Sequence, residues 1–284
     1  MTIEKIDLYK EFNLEKPADR LGFLTVYMHT PNDRESENRI RPVMLVLGGG
    51  GYQYVSPREQ EPVAMKYYAQ GYNAFVLDYS CPCPYPVDLI EGCLAMAYIR
   101  MNAKKYQVDV NHVAAIGFSA GGHLCGTIAT LYNQPEVKKV LGENYKLCRP
   151  DAVVLSYPVI SSSDIGQSDT INTFSDNNPR YRALASLENQ VSADTPPAFI
   201  WSTFNDTAVP VENSIVMAAA YKKAGVPFEL HIFEHGDHGL SIATEEVGSV
   251  NTHVAQWVEL SLKWLVTRGF VLSEPTEGEV QAIS

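Results

Sequence analysis

Short apolar segments recur along the chain and alternate with segments whose apolar residues follow a helical spacing. We predict a strand at each of seven β-branched or aromatic runs: 23–28, 43–47, 74–78, 113–116, 152–155, 198–201 and 228–233. The helical spacing predicts helices over 59–69, 89–106, 121–132, 211–224 and 252–267. Most strand runs are continuously apolar, which is typical of parallel strands buried on both faces. The alternation therefore predicts a doubly wound α/β domain with about eight mostly parallel strands and right-handed crossovers.

Two regions depart from this alternation. Residues 161–197 are polar, rich in Ser, Asp and Asn, and too long for a plain connection, so we predict a small cap or an active-site loop there. The polar, acidic end of the chain predicts a flexible tail over 273–284. The rest of the pattern is continuous, and we predict a single domain spanning 1–284.

Composition excludes several classes of protein. Asp and Glu number 33 against 22 Lys and Arg, and a net charge of −11 argues against binding nucleic acid or anionic membranes. No apolar run approaches the roughly 18 residues that span a bilayer. The first twenty residues are charged and lack the apolar core of a signal peptide. These features predict a cytoplasmic protein that does not associate with membranes.

Cysteine usage gives no sign of a metal centre. The five cysteines are an odd number in a chain that does not need disulfides, so we expect reduced thiols. Cys81 and Cys83 have the spacing of half a zinc site, but no matching Cys/His pair follows. We therefore predict neither a metal nor an organic cofactor.

The most specific local motif is Gly-Phe-Ser-Ala-Gly at 117–121. It follows the predicted strand 113–116 and precedes a predicted helix, which is the setting of a nucleophile elbow. A serine on so sharp a turn has a strained backbone, and glycines at 117 and 121 avoid collisions. Its Oγ would lie at a helix N-terminus, where N–H groups favour an oxyanion. We predict that Ser119 is a nucleophile; the alternative is a glycine-rich turn with an N-capping serine.

A run of four glycines at 48–51 follows the predicted strand 43–47. Glycines let a backbone point its N–H groups at developing charge. A nucleotide loop is the alternative, but Gln53 interrupts G-x-G-x-x-G and no Lys-Ser/Thr pair follows. Because the run lies upstream of the elbow, we predict an oxyanion loop.

A serine nucleophile needs a base, and the base needs a carboxylate that orients it. Asp206 and His238 each follow a predicted strand, which places them at the same carboxyl edge of the sheet as Ser119. His235 is an alternative base, but it comes directly after its strand. Asp237 is an alternative carboxylate, but adjacent residues rarely face each other. We favour His238 and Asp206.

Other polar and aromatic residues lie close to these motifs. His123, one turn into the elbow helix, is predicted to pack or to form hydrogen bonds there. Tyr52 and Tyr157 are tentative substrate-binding residues, and simple packing is an alternative for each.

Taken together, the motifs resemble the α/β-hydrolase carboxylesterases related to bacterial acetyl esterases and acetylxylan esterases. The residues that carry the resemblance are 48–52, Ser56 with Arg58-Glu59, 117–124, 156–161, Asp206 with Val209-Pro210, and 238–240. The resemblance covers about residues 20–268 and implies the α/β-hydrolase fold. It also implies roles for the site residues: Ser119 as nucleophile, His238 as general base and acid, Asp206 as its orienting carboxylate, and the backbone N–H of Ala120 with that of Gly50 or Gly51 as oxyanion donors.

The predicted reaction is hydrolysis of short-acyl esters, such as acetyl groups on sugars or small alcohols, through an acyl-enzyme. The expected partner is a small-molecule ester, and the resemblance leaves a homo-oligomer open. One alternative is a serine peptidase of the prolyl-oligopeptidase type, which would usually carry a large extra domain. The other is a non-catalytic binding protein with the same fold, which would usually lack one of the three triad residues.

Overall fold

A computed structural model describes residues 1–30, 39–165 and 167–273, and its strands form one eight-stranded sheet. The strands are β1 (Thr2–Asp7), β2 (Phe23–Met28), β3 (Arg41–Leu47), β4 (Asn73–Asp78), β5 (Val108–Phe118), β6 (Ala152–Ser156), β7 (Ala198–Thr203) and β8 (Phe228–Phe233). Their order is β1-β2-β4-β3-β5-β6-β7-β8. β2 is antiparallel to both its neighbours, and β3 to β8 are parallel. The predicted mostly parallel sheet of about eight strands is confirmed.

Helices cover both faces of this sheet. They are α1 (Leu8–Glu11), α2 (Glu61–Tyr68), α3 (Val87–Met101), α4 (Ala103–Tyr106), α5 (Ala120–Leu131), α6 (Pro135–Leu141), α7 (Ser168–Ser175), α8 (Pro179–Ala185), α9 (Glu212–Ala224) and α10 (Trp257–Val266). Alternate side chains of β3 enter two different cores: Leu45 packs in the core that includes Leu124 of α5, and Val46 in the core that includes Trp257 of α10. Burial on both faces explains why the strand runs are continuously apolar.

The prediction missed β1 and placed the start of β5 too late. β1 pairs antiparallel with β2 at the edge of the sheet, and none of its side chains is buried. An exposed edge strand needs no regular apolar alternation, so its sequence gives no strand signal. β5 begins at Val108 rather than at 113 because Val108 pairs with Arg41 across a register shift.

The region of the predicted cap or active-site loop, 161–197, holds α7, α8 and a short 3₁₀ turn at Leu187–Asn189. Phe174 of α7 packs against the rings of Tyr52 and His123, with centroid distances of 6.0 and 4.9 Å. The two short helices therefore lie against the glycine-rich loop and the elbow helix. Of the predicted tail, Ser273 forms a β-bridge with Ile40, and 274–284 lie outside the described residues.

The carboxyl ends of four adjacent parallel strands bring the candidate residues together. Ser119 directly follows β5, Tyr157 directly follows β6, and Asp206 and His238 follow β7 and β8. Ligands of open α/β sheets bind at this edge, because the loops that leave the strands converge there.

Candidate active site

Ser119 lies on a strained turn between β5 and α5, with φ 54° and ψ −118°. A β-carbon at Gly117 would collide with the carbonyl oxygen of Gly121, and one at Gly121 would collide with the carbonyl oxygens of Leu47 and Gly48. Backbone atoms in close contact leave room only for glycine at both positions. The turn has the geometry predicted for a nucleophile elbow.

Ser119, His238 and Asp206 form one hydrogen-bonded chain. The Ser119 hydroxyl lies 2.9 Å from His238 Nε2, and His238 Nδ1 lies 2.7 Å from Asp206 Oδ2. The Asp206 side chain is fully buried, and its other oxygen accepts the N–H groups of Ala208 and Val209, both at 2.9 Å. A carboxylate facing Nδ1 makes that nitrogen the donor and leaves Nε2 free to accept the serine proton. The structure thus brings together the three side chains predicted as a triad.

The alternative base and carboxylate lie elsewhere. The His235 side chain is 79% exposed, and its backbone carbonyl accepts a hydrogen bond from the Asn251 side chain at 3.0 Å. Within the described part of the chain, the Asp237 carboxylate makes no hydrogen bond to an imidazole. His235 therefore supports the loop rather than the site, and neither residue is placed to serve Ser119.

The glycine run packs directly against the nucleophile. A β-carbon at Gly49 would lie 3.0 Å from Ser119 Cβ, so the backbone of the run passes close to the serine. Gly50 and Gly51 have φ of 122° and 63°, values that side chains with a β-carbon rarely adopt. We call residues 48–52 the oxyanion loop.

The backbone N–H groups predicted to stabilise the oxyanion form no hydrogen bond within the described part of the protein. Among the residues that the structure describes, the N–H groups of Gly50, Gly51 and Ala120 donate to no protein acceptor. Ala120 is the first residue of α5, where the helix dipole adds positive potential. Donors left free beside a serine hydroxyl are suited to stabilise an oxyanion.

Tyr52 and His123 form a buried contact behind the oxyanion loop. The Tyr52 hydroxyl lies 2.9 Å from His123 Nδ1, and His123 Nε2 donates to the carbonyl of Ala185 at the end of α8. Burial lowers the pKa of His123 to about 4, so the ring is neutral at pH 7. His123 packs and forms hydrogen bonds, as predicted.

The two tyrosines predicted to bind substrate are buried instead. Tyr52 is 0% exposed and Tyr157 is 2% exposed. The hydroxyl groups of both are already hydrogen-bonded within the protein. Direct contact with a substrate is therefore not supported for either, and packing, the alternative at each position, agrees with the structure.

Glu59 is a polar residue of the site region to which sequence reasoning assigned no role. It is buried at the end of a short 3₁₀ turn, Pro57–Glu59, and accepts hydrogen bonds from Gly49 N–H and from the Tyr157 hydroxyl. Burial raises the pKa of this carboxyl, although the two hydrogen bonds oppose the rise. The sequence gives little signal for this role, because Glu59 lies among other charged and polar residues, Arg58, Gln60 and Glu61.

Residues 1–30, 39–165 and 167–273 contain neither a helix suited to cross a membrane nor a cluster suited to bind a metal ion. None of the helices in these ranges combines the length and the apolar character needed to cross a bilayer. The same ranges hold no cluster of three or more His, Cys, Asp or Glu side chains arranged to bind a metal ion.

The order of the strands and the serine turn at the end of β5 define an α/β-hydrolase, and solved structures agree. An acetyl ester-xyloside bifunctional hydrolase from Caldicellulosiruptor lactoaceticus is 34% identical, with a TM-score of 0.80, and the match covers 94% of this chain and 97% of that one. The carboxylesterase Cest-2923 from Lactobacillus plantarum WCFS1 is 28% identical, with a TM-score of 0.82, and the match covers 96% and 100%. The predicted fold is confirmed.

The chain belongs to the BD-FAE family, whose model matches residues 26–221. A protein named endo-1,4-beta-xylanase B from Butyrivibrio fibrisolvens is 38% identical over 86% of this chain and 38% of its own length. An acetylxylan esterase from Xylanibacter ruminicola is 32% identical over 73% of this chain and 43% of its own length. The chain thus spans about two fifths of the length of these relatives. The resemblance to acetyl esterases and acetylxylan esterases is confirmed.

Proposed function

We propose that this protein is a serine carboxylesterase that hydrolyses short-acyl esters, with acetyl esters as its main substrates. The observation that carries the proposal is the hydrogen-bonded chain from Ser119 through His238 to Asp206, beside free N–H groups of the oxyanion loop. The relatives named as acetylxylan esterase and acetyl ester-xyloside hydrolase support an acetyl group as the acyl part. They also support a sugar or oligosaccharide as the alcohol part.

In the first half of the proposed reaction, Ser119 Oγ attacks the ester carbonyl carbon while His238 Nε2 takes the hydroxyl proton. The carbonyl oxygen becomes an oxyanion that accepts hydrogen bonds from the N–H of Ala120 and of Gly50 or Gly51. His238 then gives its proton to the leaving alcohol oxygen. The carbon–oxygen bond to the alcohol breaks, and an acyl-enzyme on Ser119 remains.

In the second half, water attacks the acyl carbon and His238 takes a proton from the water. Collapse of the second oxyanion breaks the bond to Ser119 Oγ, which recovers its proton from His238, and the acid leaves. The Asp206 carboxylate holds the imidazole and stabilises its charged form in both halves. Because His238 carries out every proton transfer and Ser119 is the nucleophile, the proposed reaction invokes no metal or organic cofactor.

The two alternative functions gain no support from the relatives described above, which are named as esterases, hydrolases or a xylanase. A serine peptidase would cleave aminoacyl amides in preference to acetyl esters. A non-catalytic binding protein would not need Ser119 within hydrogen-bond distance of His238.

The proposal predicts that Ser119→Ala abolishes hydrolysis of p-nitrophenyl acetate. The loss of kcat should be at least about 10⁴-fold, because the nucleophile is removed while folding is unaffected. A fluorophosphonate probe should label the wild-type protein at Ser119 and leave the variant unlabelled. Near-wild-type turnover by the variant, with an unchanged unfolding temperature, would refute the proposal.

The natural substrate requires a second experiment. A series of p-nitrophenyl esters of increasing acyl length, run beside acetylated xylo-oligosaccharides, measures the acyl and alcohol preferences separately. We expect kcat/KM to be highest for acetyl and to fall as the acyl chain lengthens.

Cellular location and assembly belong to the same proposal. All five cysteines are free thiols, and the cytoplasmic location stays a prediction. A homo-oligomer stays a prediction that sedimentation analysis of the purified protein would test.

A further inference from the structure

One buried carboxylate connects the oxyanion loop with the loop that carries His238, residues 234–242, which we call the histidine loop. We propose that Glu59 is a positioning residue whose two carboxylate oxygens hold these two loops in their catalytic arrangement. The inference rests on the proposed esterase function. It concerns a residue that touches neither the substrate nor the reacting atoms.

The first carboxylate oxygen contacts the oxyanion loop. Glu59 Oε2 accepts the N–H of Gly49 at 2.7 Å. Gly49 directly precedes Gly50, one of the proposed oxyanion donors, so fixing this peptide restricts how the next one can rotate. A β-carbon at Gly49 would lie 2.8 Å from the same oxygen, which shows how closely the carboxylate abuts the loop. Oxyanion donors act only when held at the position where the charge develops.

The second carboxylate oxygen reaches the histidine loop through a tyrosine. Glu59 Oε1 accepts the Tyr157 hydroxyl proton at 2.6 Å, and the Tyr157 hydroxyl oxygen accepts the N–H of Ser241 at 2.9 Å. Ser241 is three residues from His238, and the Tyr157 ring packs edge-on against the imidazole with a centroid distance of 5.0 Å. The Trp257 indole N–H donates to the Ser241 carbonyl at 2.9 Å and anchors the same residue from α10.

The surroundings of Glu59 argue against a role in stability alone. Its neighbour Arg58 points away and donates to the Val247 carbonyl and the Ser249 hydroxyl, both at 2.6 Å. Among the described residues, the Glu59 carboxylate has no ion-pair partner. Burying an unpaired carboxylate is unfavourable, and an apolar side chain of similar volume would avoid that penalty. What an apolar side chain cannot do is accept one hydrogen bond from each of the two loops.

The test is Glu59→Gln, which keeps the shape of the side chain. Glutamine has one acceptor oxygen and one donor nitrogen, so it cannot accept both the Gly49 N–H and the Tyr157 hydroxyl proton. We expect kcat for p-nitrophenyl acetate to fall about 100-fold, because small displacements of catalytic groups are enough for such losses. KM should change less than about threefold, since the lost interaction acts mainly in the transition state.

The chain offers a closely matched control at Glu91. This buried carboxylate of α3 also accepts a backbone N–H, from Ser80 at 2.7 Å, and a tyrosine hydroxyl, from Tyr9 at 2.8 Å. Neither donor belongs to the oxyanion loop or the histidine loop. Glu91→Gln should lower the unfolding temperature and leave kcat within about twofold of the wild type.

A second variant covers the case in which Glu59→Gln does not fold. Tyr157→Phe removes only the hydroxyl that joins Glu59 to Ser241, and we expect kcat to fall about tenfold. The double variant should lose little more than Glu59→Gln alone, because both substitutions interrupt one network. The rate at which a fluorophosphonate labels Ser119 should fall in parallel with kcat, since phosphonylation uses the same oxyanion donors.

The outcomes separate the two proposals. If the wild type neither hydrolyses acetyl esters nor reacts with the probe, the proposed function fails whatever Glu59 does. If the wild type is active, three results overturn the positioning role: a folded Glu59→Gln with unchanged kcat, an equal loss of kcat in Glu91→Gln, or an unchanged kcat in Tyr157→Phe.

Discussion

At the scale of single residues, Asp206 controls which nitrogen of His238 faces Ser119. Two backbone N–H groups hold one of its carboxylate oxygens, so the other oxygen must face the imidazole. That oxygen can only accept, which makes Nδ1 the protonated nitrogen and Nε2 the base. One carboxylate therefore determines both the orientation and the tautomer of the ring.

This argument predicts the effect of Asp206→Asn. The backbone N–H groups would retain the amide oxygen, and the amide nitrogen would then donate to Nδ1 and stabilise the wrong tautomer. We expect kcat for p-nitrophenyl acetate to fall about 10⁴-fold with the fold intact. Steady-state kinetics and thermal unfolding measured together would check this, and a loss below tenfold would contradict it.

At the scale of elements, the site is assembled where parallel strands end and helices begin. Ser119 and Ala120 form the junction of β5 and α5, so the nucleophile and one proposed oxyanion donor are adjacent in the chain.

The first turn of α3 contains a buried acidic residue, Asp88, which has no proposed catalytic role. Asp88 Oδ1 accepts the N–H of Leu89 at 2.8 Å, whereas Oδ2, within the described residues, has no hydrogen-bond partner.

Asp88 predicts a pH dependence of stability. Burial raises the pKa of its carboxyl to about 7, whereas an unfolded aspartate has a pKa of about 3.9. Between these values the folded state holds a proton that the unfolded state has released, so the free energy of unfolding decreases as pH rises from about 4 to about 7. The decrease from this group is at most about 4 kcal/mol.

Asp88→Asn should therefore flatten the stability profile between pH 4 and pH 7 and make the protein more stable than the wild type at pH 8. Urea unfolding at a series of pH values measures the effect. Asp19→Asn, at an exposed carboxylate, is the control and should leave the profile unchanged. A parallel profile for the wild type and Asp88→Asn would show that the buried carboxyl does not carry this dependence.

At the scale of the whole molecule, the net charge of −11 concerns the approach of the substrate. The proposed substrates are neutral esters, and a positive electrostatic field around the site would not attract them. The excess of acidic residues is better explained as a surface property that keeps the protein soluble. It should repel substrates that are themselves anionic.

A pair of acetyl esters with different charge tests this. We expect kcat/KM for 4-acetoxybenzoate, an anion, to be lower than for its neutral methyl ester and to rise as ionic strength increases from about 0.01 to about 0.3 M. The methyl ester is the internal control and should respond little to salt. Equal salt dependence of the two esters would exclude electrostatic repulsion as the cause.

Much of this site could be predicted from the sequence because its signals are local. The glycines on either side of Ser119 mark the sharp turn within a five-residue motif, although the β-carbon that Gly121 avoids would collide with Leu47 and Gly48, which are distant in the chain. Asp206 and His238 each follow a predicted strand. Parallel strands expose their carboxyl ends at one edge, so position along the chain predicted position in space. β1 could not be predicted in this way, because an exposed edge strand needs no apolar pattern in its sequence.

The α/β fold, the nucleophile elbow and the residues of the proposed triad could be predicted from the sequence, since each is marked by strand periodicity or by a short local motif. Only the packing of the folded chain buries Tyr52 and Tyr157 and places Glu59 between the oxyanion loop and the histidine loop. Glu59 and Tyr157 are 98 residues apart, and Tyr157 and Ser241 are 84 apart. A hydrogen bond over such a separation has no periodicity along the chain and depends on how the loops at the sheet edge pack together.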